Sequence, residues 1–176
     1  MDFSVKSVYC CELKSNDIHD IEKVYDLEIH MTGYNKILLA LDFFDHTDVL
    51  CTRVKDLSGR FNSDVHYIHV VEPVLSGFQD ELSSIEPLGL EQELLKTSLD
   101  RLEQFGERYD VQNSNLHVEL GSAKKEILRV ASELNIDLLV TGSHGRHGIG
   151  LLLGSTANGL LHGAECDVLA IRLKEN

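Results

Sequence analysis

The chain has 176 residues, of which 43% are hydrophobic and 26% are charged. These are the proportions of a folded globular domain, so they exclude a disordered, collagen-like or low-complexity chain. The formal net charge of −13 argues against general binding to nucleic acid or to an anionic membrane surface, because a strongly acidic protein repels phosphate groups.

Cellular location can be inferred from three further features of the sequence. No apolar run reaches the roughly 18 residues of a membrane span, and the first residues lack the basic and apolar regions of a secretion signal. The four cysteines show neither a CxxC motif nor the spacing of a zinc site, which is typical of free thiols in a reducing compartment. We therefore expect a cytoplasmic protein.

Residues 1–30 differ from the rest of the chain. They carry seven acidic residues against three lysines, and their few apolar residues could not form a fold alone. From Met31 the sequence leads into a strongly apolar run, as at an ordinary protein start. We predict an N-terminal acidic extension over 1–30 and one domain over 31–176. The extension is either a simple appendage (an acidic arm or the product of an upstream start codon) or a regulatory arm that docks on a dimer.

From residue 36 onward, apolar strands alternate with amphipathic helices. Ile37–Leu41 is a continuous apolar run, which is typical of a strand buried on both faces. The elements predicted after it are, in chain order, a helix over 46–61, a strand over 65–71, a helix over 90–109, a strand over 116–120, a helix over 123–134, a strand over 137–142, a helix over 155–163 and a strand over 168–171. In the second of these helices, the residues at helical spacing that form an apolar stripe are Leu94, Leu95, Leu99, Leu102, Phe105 and Tyr109.

This alternation predicts a parallel sheet with helices on both faces. Five strands favour the order 3-2-1-4-5, in which the chain order reverses between strands 1 and 4. Such a reversal opens a crevice at the carboxyl ends of the two strands, where α/β sheets bind ligands. Asp42 and Gly142 lie at those two ends.

A glycine-rich segment follows the fourth strand, with five of the 13 glycines between residues 142 and 156. Ser155 and Thr156 are expected to cap the next helix, whose free N–H groups would attract an anion. The segment is not a P-loop, because no lysine follows Gly154, and its glycine spacing is not that of a dinucleotide fingerprint. It predicts either a phosphate cradle or a flexible turn that only links strand to helix.

These motifs, in this order and at these spacings, resemble the universal stress protein family over residues 35–173. The matching segments are the first strand with Asp42, the strand over 68–71, the run from Asp137 to Arg146, the turn over 153–156 and the closing strand over 166–171. The resemblance implies a flavodoxin-like (adenine nucleotide alpha hydrolase-like) three-layer α/β/α domain that forms a homodimer through its last strand, residues 167–173. It also implies a role in the stress response, and some family members bind ATP.

The family's ATP-binding pattern is G-x2-G-x9-G-[ST], and the site residues it implies here fall into two groups. Those implied near the phosphates are Gly142, Ser143, Gly145, Arg146, Gly154, Ser155 and Thr156. Those implied near adenine and ribose are Ala40, Leu41, Asp42 and Val70. Two departures stand out: only eight residues separate Gly145 from Gly154, and Phe44 replaces a serine common in the family. With these residues we expect binding of ATP, together with Mg²⁺.

No arrangement of nucleophile, base and acid can be argued from residue spacing. His66 and His69 are three apart on a strand, so they should face opposite sides and cannot share a metal ion. We therefore expect no metal site of the protein's own and no enzyme beyond a slow ATPase. The alternatives are a nucleotide-dependent transferase, for which only Arg146 offers a further cation, and a dimeric stress adaptor that binds no nucleotide and works through partner contacts.

Overall fold

The computed structural model describes residues 33–44, 46–72, 87–143 and 154–173. Its strands are β1 (Lys36–Ala40), β2 (Asp64–Val71), β3 (Leu116–Leu120), β4 (Leu138–Gly142) and β5 (Asp167–Ile171). Its α-helices are α1 (Thr47–Phe61), α2 (Pro87–Tyr109), α3 (Ala123–Glu133) and α4 (Ser155–Gly163), and a 3₁₀ turn spans Asn113–Asn115. The predicted extension over 1–30 lies outside the described residues and stays a prediction.

The strands form one sheet in the order β3-β2-β1-β4-β5. Every neighbouring pair is parallel, so the predicted order and direction of the strands are confirmed. The central strand β1 is buried on both faces, and its Leu39 pairs with Tyr67 on one side and with Val140 on the other. This double burial explains why the strand reads as an unbroken apolar run.

Two hydrophobic cores cover the two faces of the sheet. Helices α1 and α2 pack on one face, where Leu50 and Leu102 join Leu39 in a buried cluster. Helices α3 and α4 pack on the other face, where Val130 and Leu160 join Leu38. Since alternate residues of a strand face opposite sides, one apolar strand supplies both cores. The protein therefore has the predicted three-layer α/β/α architecture of the flavodoxin-like class.

Helix α2 differs from its prediction in two respects. It begins at Pro87, three residues earlier than expected, because proline is well suited to the first position of a helix. Its apolar stripe is only partly buried: Leu102 is fully buried, but Leu94 and Leu99 are 38% and 39% exposed. A helix of 23 residues is about 35 Å long, about twice the length of a five-residue strand, so the sheet is too short to cover the whole helix.

The amino ends of β1 and β4 are fixed to each other by Asp137. One carboxylate oxygen accepts from the N–H of Asn35 at 2.8 Å, and the other accepts from the N–H of Lys36 at 3.0 Å. The Lys36 ammonium also donates to the carbonyl of Leu134 at 3.0 Å. These contacts hold the two central strands in register, and the register decides what lies at their carboxyl ends.

In the described part of the chain, no helix is both long and apolar enough to cross a membrane.

Candidate functional site

The crevice predicted between the first and fourth strands lies at the carboxyl edge of the sheet. Because Leu39 of β1 pairs with Val140 of β4, the two strands end side by side, at Ala40 and Gly142. Chain order reverses here, as it does where open α/β sheets bind their ligands. The structure therefore brings Asp42 and Gly142 to the same edge.

Asp42 and Leu41 offer very different groups to a ligand at this edge. Asp42 is exposed, and its Oδ1 accepts a hydrogen bond from the N–H of Phe44 at 3.3 Å. Leu41 is buried, and its N–H donates to the carbonyl of Ile68 at 2.9 Å while its carbonyl accepts from Nδ1 of His69 at 2.8 Å. A ligand could therefore use only the second lone pair of the Leu41 carbonyl, whereas the Asp42 carboxylate is an accessible acceptor.

The end of β2 extends past the end of β1. Ala40 pairs with Ile68, yet β2 continues to Val71. Val70 thus lies beyond the last β1 pair, and its half-buried side chain packs on the core beneath α3 and α4. Ala40 is 9% exposed and can meet a ligand with little more than its main chain. The implied contacts of Ala40 and Val70 with a base stay predictions.

The two ends of the glycine-rich segment are tied to each other. Ser143 is 6% exposed, its N–H donates to the carbonyl of Ile171 in β5 at 2.8 Å, and its carbonyl accepts from the N–H of Gly154 at 2.9 Å. The chain therefore leaves β4 and enters α4 at adjacent points. Gly145 and Arg146 lie outside the described residues, and their implied phosphate contacts stay predictions.

Helix α4 begins directly at this tie. Its N-cap is Gly154 and its first residue is Ser155, so the prediction that Ser155 and Thr156 cap the helix is wrong. Glycine has no side chain with which to bond the N–H groups of the first turn, and these groups have no partner within a helix. Together with the helix dipole they attract an anion. Ser155 is exposed and Thr156 is half-buried at the same helix end.

A cluster that residue spacing did not reveal surrounds the corner after β1. The ring of Phe43 stacks on His69 with centroids 4.1 Å apart and on Phe105 at 6.0 Å, and the guanidinium of Arg101 lies 4.8 Å from the Phe43 centroid. We call these four residues the corner cluster. They come from the β1–α1 corner, β2 and α2, so only the folded chain brings them together. Phe43 has a φ of 60°, which costs a bulky side chain on the order of 1–2 kcal/mol.

Two histidines form a second unpredicted cluster, between β2 and β3. Nδ1 of His66 and Nε2 of His117 are 3.1 Å apart, and Nε2 of His66 is 3.2 Å from Oδ2 of Asp64. His66 and His69 do face opposite sides of the sheet as predicted, since His69 stacks on Phe43 above the α1–α2 core. The predicted strand order, which places β2 beside β3, was the signal that could have revealed the pair.

Neither cluster forms a metal centre. Within the described ranges, no group of three or more histidine, cysteine or carboxylate side chains is placed to hold a metal ion. A cavity of about 170 Å³ lies elsewhere, at the amino edge of the sheet, where Lys55, Asp110 and Asn115 line it. The Lys55 ammonium is already paired with the Asp110 carboxylate at 2.7 Å. This cavity is at the opposite edge from Asp42 and is not part of the crevice.

The thiols of the described residues are not activated for nucleophilic chemistry. Cys51 is fully buried, and burial raises its pKa to about 12. Burial also raises the pKa of Cys166. A reactive cysteine needs a lowered pKa and access to solvent, so neither of these residues is equipped to act as a nucleophile.

Comparisons with known proteins agree with this architecture. A family model described as "Universal stress protein family" matches residues 33–172. Universal stress protein A homolog 2 of Coxiella burnetii is 39% identical over 145 residues, which cover 82% of this chain and 99% of that protein. Among solved structures, universal stress protein UspA from Lactobacillus plantarum has a TM-score of 0.66 at 23% identity, over 79% of this chain and 98% of that chain.

A further solved structure, of a universal stress protein in complex with cAMP, has a TM-score of 0.52 at 20% identity and covers 80% of this chain and 98% of that chain. The structural likenesses show the fold alone. The family model spans most of the chain and the Coxiella relative is matched over nearly its full length. This chain belongs to the universal stress protein family.

Proposed function

We propose that this protein binds ATP, together with Mg²⁺, in the crevice between β1 and β4. The observation that carries the proposal is the hydrogen bond of 2.9 Å between Ser143 and Gly154, since it brings the first turn of α4 to the edge where Asp42 follows β1. Anion-attracting N–H groups would then lie on one side of the crevice and an acceptor carboxylate on the other. This combination suits a ligand with phosphates at one end and hydroxyl or amine donors at the other.

The class of ligand has independent support from a relative of known structure. A universal stress protein with the same fold was solved in complex with cAMP, so this architecture accommodates an adenine nucleotide in at least one case. The choice of the triphosphate rests on the family pattern, because all of its glycines and its serine are present in this chain. Mg²⁺ would arrive with the phosphates, as it does in most nucleotide sites.

The shortened glycine-rich segment is compatible with this proposal. Only eight residues separate Gly145 from Gly154, where the family pattern has nine. The bond between Ser143 and Gly154 closes the base of the segment, so the start of α4 is set by β4 and not by the length of chain between them. The missing residue therefore need not move the N–H groups of α4.

We further propose a binding protein and not a metabolic enzyme, with ATP hydrolysis slow at most. Among the described residues, Asp42 supplies a carboxylate to the crevice, and a carboxylate without a positioned base or nucleophile binds a ligand without transforming it. A transferase would need a further cation or nucleophile at the phosphates, a role for which the sequence offers Arg146. Phosphate release above background that Arg146→Ala abolishes would favour the enzyme over the binding protein.

A second candidate function is that of a dimeric stress adaptor without nucleotide. Phe44 favours it, because this residue replaces the hydroxyl common in the family and is 40% exposed beside Asp42. In that case the exposed apolar residues of β5 and α4 would be the working surface. For either function we propose a cytoplasmic location, in keeping with the free thiols of Cys51 and Cys166, and cell fractionation would test it.

Thermal unfolding with and without Mg²⁺-ATP tests the proposal directly. A ligand at about 100 times its Kd adds about 2.7 kcal/mol to the free energy of unfolding, which raises Tm by roughly 5–10 °C for a protein of this size. The informative variant is Gly154→Val, which adds bulk at the α4 N-cap. The matched control is Gly59→Val in α1, where an added Cβ would meet nothing within 4 Å.

We expect ATP to raise Tm in the wild type and in Gly59→Val but not in a folded Gly154→Val. An equal shift in all three proteins would place the nucleotide elsewhere and contradict the proposed site. No shift in any of them would contradict nucleotide binding and favour the adaptor.

A further inference from the structure

The corner cluster holds the chain in an unfavourable backbone conformation beside the crevice. Among the described residues, the other non-glycine positions with positive φ are Asn62, Asp110 and Asn135. Asparagine and aspartate tolerate this conformation because their short polar side chains bond locally. Phe43 has no such group, so its φ of 60° must be imposed by its surroundings. Strain of this kind is concentrated at functional sites and is the observation from which a function is inferred.

The surroundings of Phe43 restrain it from two directions. From β2, the His69 ring stacks on its ring at a centroid distance of 4.1 Å. From α2, Arg101 lies over the same ring and also donates from Nη2 to the Phe43 carbonyl at 2.8 Å. Arg101 is exposed, yet its guanidinium does not extend freely into solvent, because it contacts the ring and the carbonyl of Phe43.

The residue placed by this restraint is Asp42. On one side of it, the Leu41 carbonyl is bonded to His69. On the other side, Phe43 is held by the corner cluster, and the N–H of Phe44 donates back to the Asp42 carboxylate. These contacts fix the backbone both before and after Asp42. The conformation of the corner therefore sets the direction in which the exposed Asp42 carboxylate points.

We propose that His69 and Arg101 are positioning residues for Asp42, and that they set the affinity of the crevice for a ligand with hydroxyl or amine donors. Neither residue needs to touch the ligand, since each acts through the backbone of Phe43 or Leu41. This inference rests on the proposed nucleotide binding, which it deepens by assigning residues outside the family pattern.

Matched substitutions separate the contacts within the cluster. His69→Phe keeps a ring to stack on Phe43 but loses the donor to the Leu41 carbonyl, whereas His69→Asn keeps a donor near the position of Nδ1 but loses the ring. Arg101→Met removes the guanidinium and keeps an apolar stem. Its control is Arg108→Met: Arg108 lies on the same helix and touches the cluster at Phe105, but its guanidinium pairs with Asp48, whereas that of Arg101 bonds the Phe43 carbonyl.

The experiment measures the Kd of Mg²⁺-ATP for each full-length variant, alone and combined with Asp42→Asn. We expect Arg101→Met and both His69 variants to raise Kd about tenfold, the equivalent of one charge-assisted hydrogen bond, and Arg108→Met to change it less than about twofold. In the Asp42→Asn background the corner substitutions should have almost no further effect, because residues that act through Asp42 lose their influence once its carboxylate is gone.

Two results would overturn the inference. One is that the corner substitutions raise Kd by the same factor in the Asp42→Asn background as they do alone, which would show that the cluster acts by general packing and not through Asp42. The other is unchanged affinity in all corner variants. If the wild type binds no ATP, hydrogen exchange at the Phe44 amide remains a test: faster exchange in Arg101→Met than in Arg108→Met supports the restraint on the corner, and equal exchange refutes it.

Discussion

At the scale of single residues, the contacts of His66 with Asp64 and His117 favour one tautomer of the His66 ring. Asp64 faces Nε2 of His66 at 3.2 Å, and an ionised carboxylate can only accept, so the His66 tautomer with its proton on Nε2 suits this contact and leaves Nδ1 as an acceptor. Nε2 of His117, 3.1 Å away, then donates to it. Burial, and secondarily the neighbouring His66, lowers the pKa of His117, so the folded protein favours the neutral form of this residue.

This lowered pKa predicts a loss of stability in acid. Below the ordinary histidine pKa of about 6.5, the unfolded chain takes up a proton at His117 more readily than the folded protein does. His117 therefore contributes fully to the free energy of unfolding above about pH 6.5, and this contribution is lost as the pH falls. We expect the stability advantage of the wild type over His117→Gln, measured by urea unfolding, to be larger at about pH 7.5 than at about pH 5.5.

The same comparison with His162→Gln, an exposed position in the last turn of α4, controls for the removal of one histidine. If the difference between the wild type and His117→Gln were the same at both pH values, His117 would not couple protonation to folding.

At the scale of elements, helix α2 shows how far a periodic pattern predicts burial. Its apolar positions recur at one spacing along most of its length, and that spacing correctly predicts the helix and the buried residues Leu102 and Phe105. The spacing does not report where the sheet ends. Leu94, in the amino-terminal half of the helix, and Leu99, just past its middle, belong to the same pattern but are 38% and 39% exposed.

Equal truncations on this helix should therefore have unequal effects. Leu102 is fully buried, so Leu102→Ala should lower the free energy of unfolding by about 2–5 kcal/mol through lost burial and a residual cavity. Leu99 is 39% exposed, and Leu99→Ala should cost less than about 1 kcal/mol. Urea unfolding of the full-length chain measures both values. Equal losses would mean that another surface covers Leu99 in solution.

At the scale of the whole molecule, the sequence predicted the sheet and the place of the crevice but only part of what surrounds it. The strand order follows from the alternation of buried strands and amphipathic helices, and the crevice at Asp42 and Gly142 follows from that order. The contact between Arg101 and Phe43 joins residues 58 positions apart, and no short-range pattern encodes it. The bounds of α4, Ser155–Gly163, were predicted correctly, but its N-cap Gly154 was missed, because serine and threonine are the commoner N-cap residues.

The position of β5 in the sheet favours association with a second copy of the chain. It is the last strand on its side of the sheet, and Leu169 on it is 38% exposed. Leu161, on the neighbouring helix α4, is 45% exposed. An apolar edge strand invites pairing unless it is covered or charged, so we propose a homodimer through residues 167–173.

A charge on this edge should therefore separate the two copies. Light scattering at micromolar concentration should give the wild type twice the chain mass of 19.7 kDa, and Leu169→Lys should be monomeric. The opposite edge provides the control: Leu120 ends β3 and is 36% exposed, so Leu120→Lys adds the same charge at a similar exposure and should remain dimeric. A monomeric wild type would refute the dimer, and a dimeric Leu169→Lys would move the interface away from β5, because an ammonium at the centre of that edge cannot be buried against its own copy without a large desolvation cost.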